Sequence, residues 1–435
     1  MAMHYQVLII GGGTAGIMTA AQLLRQKISS SIAIIEPATT HYYQPAWTLV
    51  GAGTYNYDKT GKPMADVIPK GVKWIKDKAT GFDADNNTVQ TAENGNITYD
   101  YLVVAPGLAY DFSLVPGLGD AIDKGVVCSN YTDPKHTWDV IKNFKGGTAL
   151  FTQPATPIKC GGAPQKIMYL AESHFKKSGV SAKTDIVFAT AGNIIFGVKE
   201  IAETLMEVVD RKDINLRFNH KLVEVDAQNQ IAWYELTKDI TAGGCVIMSG
   251  EDDHKYLDKS FQYNYKDAKV TLKNGRYGIH YDMLHTAPPS VAPKFVQESN
   301  LVNDAGWLDV DHETLQHVKY SNIFGLGDVA ALPTAKTGAA IRKQVPIVVD
   351  NLHLLIESNQ IGTKAYNGYS SCPLVTEYGK MVLAEFCYKN QFIPDPKLKN
   401  LLITDSSKEH WRLWMLKKYG LPYLYWNKML KGIDV

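Results

Sequence analysis

No stretch of this 435-residue chain approaches the ~18 uninterrupted apolar residues of a membrane-spanning helix, so no spanning segment is expected. Cysteine is scarce. Cys128, Cys160, Cys245, Cys372 and Cys387 are scattered, none in C-x-x-C, which excludes a disulfide framework and a zinc site of ordinary spacing. Charge of one sign is also missing: 45 basic and 44 acidic residues give a net +1, so nucleic acid is not an expected partner. The first apolar run begins too early to leave room for a signal peptide or an Arg-rich transit sequence, and the chain as given is expected on the cytoplasmic side. At this length a single core is not expected; about two or three domains are.

What is present begins with Tyr5–Gly16, reading YQVLIIGGGTAG. Val7 to Ile10 suit a buried parallel strand, Gly11, Gly13 and Gly16 supply G-x-G-x-x-G, and IMTAAQLLRQ continues with helical periodicity. The glycines permit a tight turn and a close approach to a pyrophosphate. Gly12, Thr14 and Ala15 complete a loop that leads into a helix N-terminus able to hold the anion. A second apolar run, Ser31–Ile35, ends in Glu36, about twenty residues on, where an acid takes ribose hydroxyls.

The loop HYYQPAWTLVGAGTYN follows, a candidate cofactor wall centred on Gln44 and Pro45, or an ordinary packed loop. Val72–Asp77 and Thr88–Thr91 read as short strands, with Ala79 between them where the chain passes an adenine edge. ITYDYLVVAPGL, with Leu102–Ala105 as its buried run and Gly107 in the turn, closes the first sheet.

A second domain starts near Leu114–Gly117. Thr148–Thr152, a helix from about Pro164, Asp185–Ala189 and VKEIAETLMEVVDR give β-α-β-α order and hence a second parallel sheet. Alternating strands from Leu222 to about Leu272 predict an antiparallel excursion. The first domain resumes with NIFGLGDVAALP: a strand, then Gly327-Asp328, then a helix from about Ala339. The predicted fold is α/β, with two Rossmann-like domains, the second inserted in the first, and a C-terminal amphipathic membrane-associating segment. The expected divisions are 1–115, 116–290, 291–365 and 366–435.

GGGTAG with Glu36, YDYLVVAPG with Ala105 and Gly107, and FGLGD together resemble the two-dinucleotide-binding flavoproteins of the disulfide-reductase class. The resemblance implies FAD, with Asp328 on the flavin ribityl chain and Gly327 beside it. An NADH-using relative carries a second glycine loop in its second domain. Here LFTQPATPIKCGGAPQKIMY stands in that place, with Cys160 where phosphate would bind, and the next strand ends in ATAGNIIFG without a ribose-binding acid. Lys159, Lys166 and the following helix N-terminus favour the Cys160 thiolate. Cys372 is the partner candidate, at a strand edge before Pro373.

KCGGAPQKIMYL, HYYQPAWTLVGAG, FGLGD with LPTAKT, and GYSSCPLVTEYGKMVLAEF resemble the sulfide:quinone oxidoreductases, specifically the type close to the mitochondrial enzyme, over about Tyr5 to Lys431. That resemblance implies Cys160 and Cys372 as the redox pair, hydrogen sulfide as donor, and a ubiquinone, menaquinone or plastoquinone as acceptor. It also implies a small sulfur acceptor such as glutathione or sulfite, with Lys336 and Thr337 near the flavin and quinone. Cys128 is either a third redox cysteine or a packed one, and His285 either a flavin neighbour or a core histidine. Cys245 and Cys387 read as small buried hydrophobes.

The C-terminal HWRLWMLKKYGLPYLYWNKMLKGIDV interleaves Trp411, Trp414, Tyr423, Tyr425 and Trp426 with lysines. Two short helices broken at Gly420-Leu421-Pro422 suit a monotopic anchor at a lipid interface. The expected location is the cytoplasmic face of a bacterial inner membrane, or the mitochondrial inner membrane if a presequence is missing from this chain; a homo-oligomer is an open expectation. Rival readings are a type II NADH dehydrogenase, a flavin-bearing redox sensor without turnover, and a soluble flavocytochrome-type sulfide dehydrogenase.

Overall fold

The opening apolar run becomes β1 (Met3–Ile10) in the computed structural model, which describes residues 3–29, 31–237 and 270–434. It lies inside a parallel sheet, between β2 (Ile32–Ile35) and a later strand. That position explains the uninterrupted apolar sequence. Val7 and Ile9 join one core cluster and Leu8 and Ile10 another, on opposite faces. Helix α1 (Thr14–Arg25) follows β1. The rest of the sheet is β3 (Lys73–Ile75), β4 (Ala79–Asp83), β5 (Thr88–Thr91) and β6 (Asn96–Val104), in the order β3-β2-β1-β6-β5-β4.

Ala79 begins β4, buried and paired with Thr91. One expectation is corrected here: YDYLVV does not close the sheet. β6 is central, pairing β1 along its length, β5 at its start, and the returning strand at its end.

The second sheet is built from β7 (Val127–Cys128), β8 (Gly147–Gln153), β9 (Thr184–Thr190) and β10 (Asn215–Arg217), with a later strand, Met283–Thr286, between β7 and β8. All its pairs are parallel. Helices α2 (Ala163–Ser178) and α3 (Lys199–Arg211) are the crossovers. Antiparallel strands β11 (His220–Asp226), β12 (Ile231–Leu236), β13 (Val270–Lys273) and β14 (Arg276–His280) form the excursion, in the order β11-β12-β14-β13. The part of the predicted excursion at 238–269, with Cys245, lies outside the described residues. Met283–Thr286 is β15, and β16 (Ile323–Gly325) then returns to pair with β6. Helix α4 (Gly338–Ser358) packs beside α1.

A hairpin of β17 (Ser370–Glu377) and β18 (Lys380–Phe386) lies against α2. Ion pairs fix this C-terminal region to the second domain: Arg211 donates to Glu409 at 2.7 Å, and buried Lys212 stands 3.8 Å from Glu377. The last segment departs from expectation. α5 (Trp411–Met415) does not break at Gly-Leu-Pro. A wide π turn, Leu416–Gly420, carries it into α6 (Leu421–Asn427), with Pro422 in that helix's first turn.

Candidate active site

The glycine loop is shaped by close backbone approach. A Cβ on Gly16 would lie 1.9 Å from the Gly11 carbonyl oxygen, and one on Gly11, whose φ is +102°, would lie 2.4 Å from the Ala105 carbonyl oxygen. The β1–α1 turn and the end of β6 therefore touch only because both residues are glycine. Gly13 faces open space at the start of α1, where free N–H groups converge. Glu36 accepts from the N–H of Gly12 and of Ala38, each at 2.7 Å, so each carboxylate oxygen keeps a lone pair for a hydroxyl. The Thr14 hydroxyl lies 2.8 Å from the Tyr425 hydroxyl. Ala15 is buried against α4 residues, and Gly107, at φ +78°, has open space around it. These residues fit a dinucleotide: a cradle with no room for side chains, clustered donors, and an acid behind it.

At the returning strand Gly327, at φ +76°, donates to Gln344 at 2.9 Å, leaving Asp328 at the start of a short turn below α4. Lys336 donates to the Ala330 carbonyl at 3.0 Å and stands 4.0 Å from the Trp307 ring centre. Burial pulls its pKa down to about 8, against the opposing pull of Asp328. Thr337 caps α4 by accepting from Ala340 and meets Ser370 at 2.9 Å. Gln44 is exposed and accepts from Lys159 at 3.0 Å. Lys159 therefore points along the Gln44 loop and not at the thiol that follows it.

The corresponding βα connection of the second domain, residues 154–162, folds back to the first. Cys160 donates its N–H to the Lys336 carbonyl at 2.9 Å. Its φ of +51° is a left-handed conformation, unfavourable for a residue with a Cβ. The turn brings Cys160 Sγ to 3.1 Å from Cys372 Sγ on β17, both free thiols. Gly162 makes this approach possible, since a Cβ there would stand 2.3 Å from Leu374 and 2.8 Å from Cys372 Sγ.

The two sulfurs are electrostatically unequal. The Cys372 thiol donates to Cys160, and Lys166 Nζ, 3.0 Å from Cys160 Sγ and 4.0 Å from Cys372 Sγ, adds its charge. Together they hold Cys160 well below the usual thiol range despite burial. Cys372 is pushed well above it, first by its hydrogen bond to Cys160 and then by burial. Burial works against the Lys166 charge, but the facing sulfurs more than offset this and raise its pKa. In the reduced pair these interactions favour a thiolate on Cys160 over one on Cys372.

Another buried lysine was not distinguishable in sequence from its exposed neighbours. Lys417, in the π turn, donates to the Pro45 carbonyl at 3.1 Å. Burial and then Lys166 lower its pKa to about 7. The structure gives Cys128 and His285 structural surroundings. Cys128 is fully buried on β7 in the second-domain core, and burial pushes its thiol far up. His285 pairs through Nε2 with Asn130 at 2.7 Å, and burial lowers its pKa to about 3. Cys387 is partly buried and meets Gln391 and the Tyr388 carbonyl.

The profile of the pyridine nucleotide-disulphide oxidoreductases matches residues 5–142. The chain is similar to mouse mitochondrial sulfide:quinone oxidoreductase, 40% identical over 431 residues, covering 99% of this chain and 87% of that one. It is 38% identical to the mitochondrial sulfide:quinone oxidoreductase of Dictyostelium discoideum, covering 98% and 86%. In fold it resembles the sulfide:quinone oxidoreductase of Aquifex aeolicus, with a TM-score of 0.75 at 19% identity over 99% of this chain and 92% of that one. Identity at this level across nearly the full length places the chain in the sulfide:quinone oxidoreductase family.

Proposed function

We propose that this protein oxidises hydrogen sulfide by two electrons through Cys160 and Cys372, passes them to FAD, and reduces a membrane quinone. The observation that carries the reading is the 3.1 Å contact of two unequal sulfurs at the place where an NADH-using domain needs a phosphate loop. In the oxidised pair a bond joins the two sulfurs. Hydrosulfide attacks Cys372 Sγ, the bond between the cysteines breaks, and its electron pair leaves on Cys160 as thiolate. Cys372 keeps the incoming sulfur and its proton as a persulfide. Lys166 makes Cys160 the better leaving group by stabilising its charge. A nucleophilic acceptor such as glutathione or sulfite removes the outer sulfur, leaving the Cys372 thiol. Rejoining the two sulfurs then releases the electron pair. Bound FAD would supply the two-electron acceptor, with a quinone of the ubiquinone, menaquinone or plastoquinone type as the final one.

FAD is assigned to Gly11–Gly16, Glu36, Ala105, Gly107, Gly327, Asp328 and Lys336, with Gln44 and Ala79 toward its edges. On this reading 1–115 and 291–365 serve FAD, 116–290 carries the cysteine loop, and 366–435 supplies Cys372 and the membrane face. Among the described residues no helix is long and apolar enough to cross a bilayer. Trp411 and Tyr423 are each 60% exposed, and Met415 and Tyr419 are exposed between them. Four-residue steps overshoot an α turn and undershoot a π turn, so the π turn in the middle keeps this stripe together. Such a stripe suits peripheral attachment to a bacterial or mitochondrial inner membrane, with or without self-association. The test is anaerobic: sulfide should bleach the flavin of the purified protein, and a short-chain quinone should restore it. Absence of bleaching in the native protein overturns the reading.

A further inference from the structure

The membrane-facing segment has an inner face, and that face ends on the glycine loop. Tyr425 on α6 is 4% exposed. Its hydroxyl lies 2.8 Å from Thr14 Oγ1 and 2.6 Å from His41 Nε2, while His41 Nδ1 lies 3.0 Å from the Gly12 carbonyl oxygen. The donors can be ordered. A carbonyl only accepts, so His41 carries its proton on Nδ1. Burial lowers the His41 pKa against the pull of the Gly12 carbonyl, which leaves Nε2 a neutral acceptor. Tyr425 therefore donates to Nε2, and Thr14 donates to Tyr425. The chain Thr14 to Tyr425 to His41 to Gly12 closes a ring around the loop that begins α1.

The packing is continuous with this ring. Tyr43 meets the Tyr425 ring at 4.5 Å, and Trp426 meets it edge-on at 5.1 Å with Lys62 4.7 Å above the Trp426 ring. Tyr425, Met429 and Leu430 belong to the same core cluster as Val7, Ile9 and Ala15. A Cβ on Gly432 would stand 2.8 Å from the Gln22 N atom, which shows how closely the final turn lies on α1.

We infer that residues 421–432 are a latch on the dinucleotide loop, with Tyr425 the positioning residue that holds Gly12 and Thr14 in shape for the FAD pyrophosphate. This rests on the assignment of FAD to that loop. It also changes what Thr14 does. Its proton is committed to Tyr425, and the pyrophosphate is left to backbone N–H groups. One short segment thus presents aromatic residues outward and secures the flavin inward.

The test measures FAD affinity of deflavinated, reconstituted protein by flavin fluorescence, with melting of the apo form recorded alongside. Tyr425→Phe keeps the ring and removes the hydroxyl, so FAD should bind roughly tenfold more weakly, the effect of leaving the buried His41 ring nitrogen and the half-buried Thr14 hydroxyl unpaired. Thr14→Val should weaken it similarly, the double variant little further, and Thr14→Ser should restore it. Tyr423→Phe, on the outer face, should leave affinity native. FAD should also slow hydrogen exchange at 421–432 in the native protein, a readout that needs no variant. Native FAD affinity in Tyr425→Phe overturns the latch, as does a lowered apo melting point with unchanged affinity or exchange that ignores FAD. If Thr14→Val weakens binding and Tyr425→Phe does not, Thr14 contacts phosphate itself and the latch is refuted. A native protein that binds no FAD overturns the cofactor assignment beneath it.

Discussion

Each of the two parallel sheets contains a strand, a turn and a helix in succession, and the two turns have been put to opposite uses. Between β1 and α1 the glycines are required by backbone: Gly16 lies under the Gly11 carbonyl and Gly11 against Ala105. The space they leave belongs to a ligand. Between β8 and α2 the glycine at 162 is required by side chains of another region, Leu374 and Cys372. The space it leaves belongs to a sulfur. The second turn is also tied down differently, by Cys160 donating to Lys336 across the domain boundary while held at φ +51°. The same place in two related folds can thus hold a carrier by its phosphates or present a reactive side chain to it.

Removing either sulfur should break the comparison most severely. Cys160→Ser or Cys372→Ser should slow flavin bleaching by sulfide on the order of a thousandfold or more. FAD should stay bound, since neither side chain belongs to the glycine loop. Rapid bleaching in Cys160→Ser would remove that thiol from the electron path.

The two glycines should fail in reciprocal ways. Gly162→Ala forces the Cβ into Cys372 and Leu374 and should slow bleaching by about a hundredfold while FAD stays bound. Gly16→Ala drives a Cβ into backbone and should weaken FAD by roughly a hundredfold. Its thiols should still alkylate at the native rate. If both variants lost flavin equally, the two turns would not be independent.

Lys166→Met tests what makes Cys160 the thiolate. Loss of the ammonium at 3.0 Å raises the Cys160 pKa, so a smaller fraction is ionised at neutral pH. Alkylation of Cys160 should fall about tenfold there and recover as pH rises, the direction expected when a charge-assisted hydrogen bond is lost. A profile that keeps its midpoint would assign the low pKa to the Cys372 hydrogen bond alone.

The glycine loop was legible because its requirement is local: strand, turn and helix lie within one continuous segment, and Glu36 follows at family spacing. Cys160 and Lys166 were legible for the same reason, lying six residues apart in one loop-and-helix segment. Cys372 was legible only as a candidate beside Pro373, since the hairpin that delivers it comes from 212 residues away and the family resemblance alone settled the pair. The central place of β6 was hidden because a strand's neighbours are not written in its own residues. The C-terminal segment misled most. Trp414, Lys417 and Tyr425 have the same composition as the exposed stripe, and only the π turn separates inner from outer positions. Read as two broken helices, all would face lipid. Read through the π turn, Lys417 reaches Pro45 and Tyr425 reaches Thr14.

That inner and outer division gives the smallest expected effect and the finest test of the comparison. Trp411→Ser combined with Tyr423→Ser removes two exposed aromatics that touch neither turn. Partition onto vesicles of mixed neutral and anionic lipid should weaken about fivefold, from the loss of interfacial apolar area. FAD content, Cys160 alkylation and turnover with a short-chain soluble quinone should all stay native, because the buried face is intact. Trp414→Ser, on that buried face, should instead lower the melting temperature by the cost of a core aromatic, about 3 kcal/mol or more. If the outer pair changed flavin content as well, the segment would act on the glycine loop from its lipid side, and the two faces would not be separable.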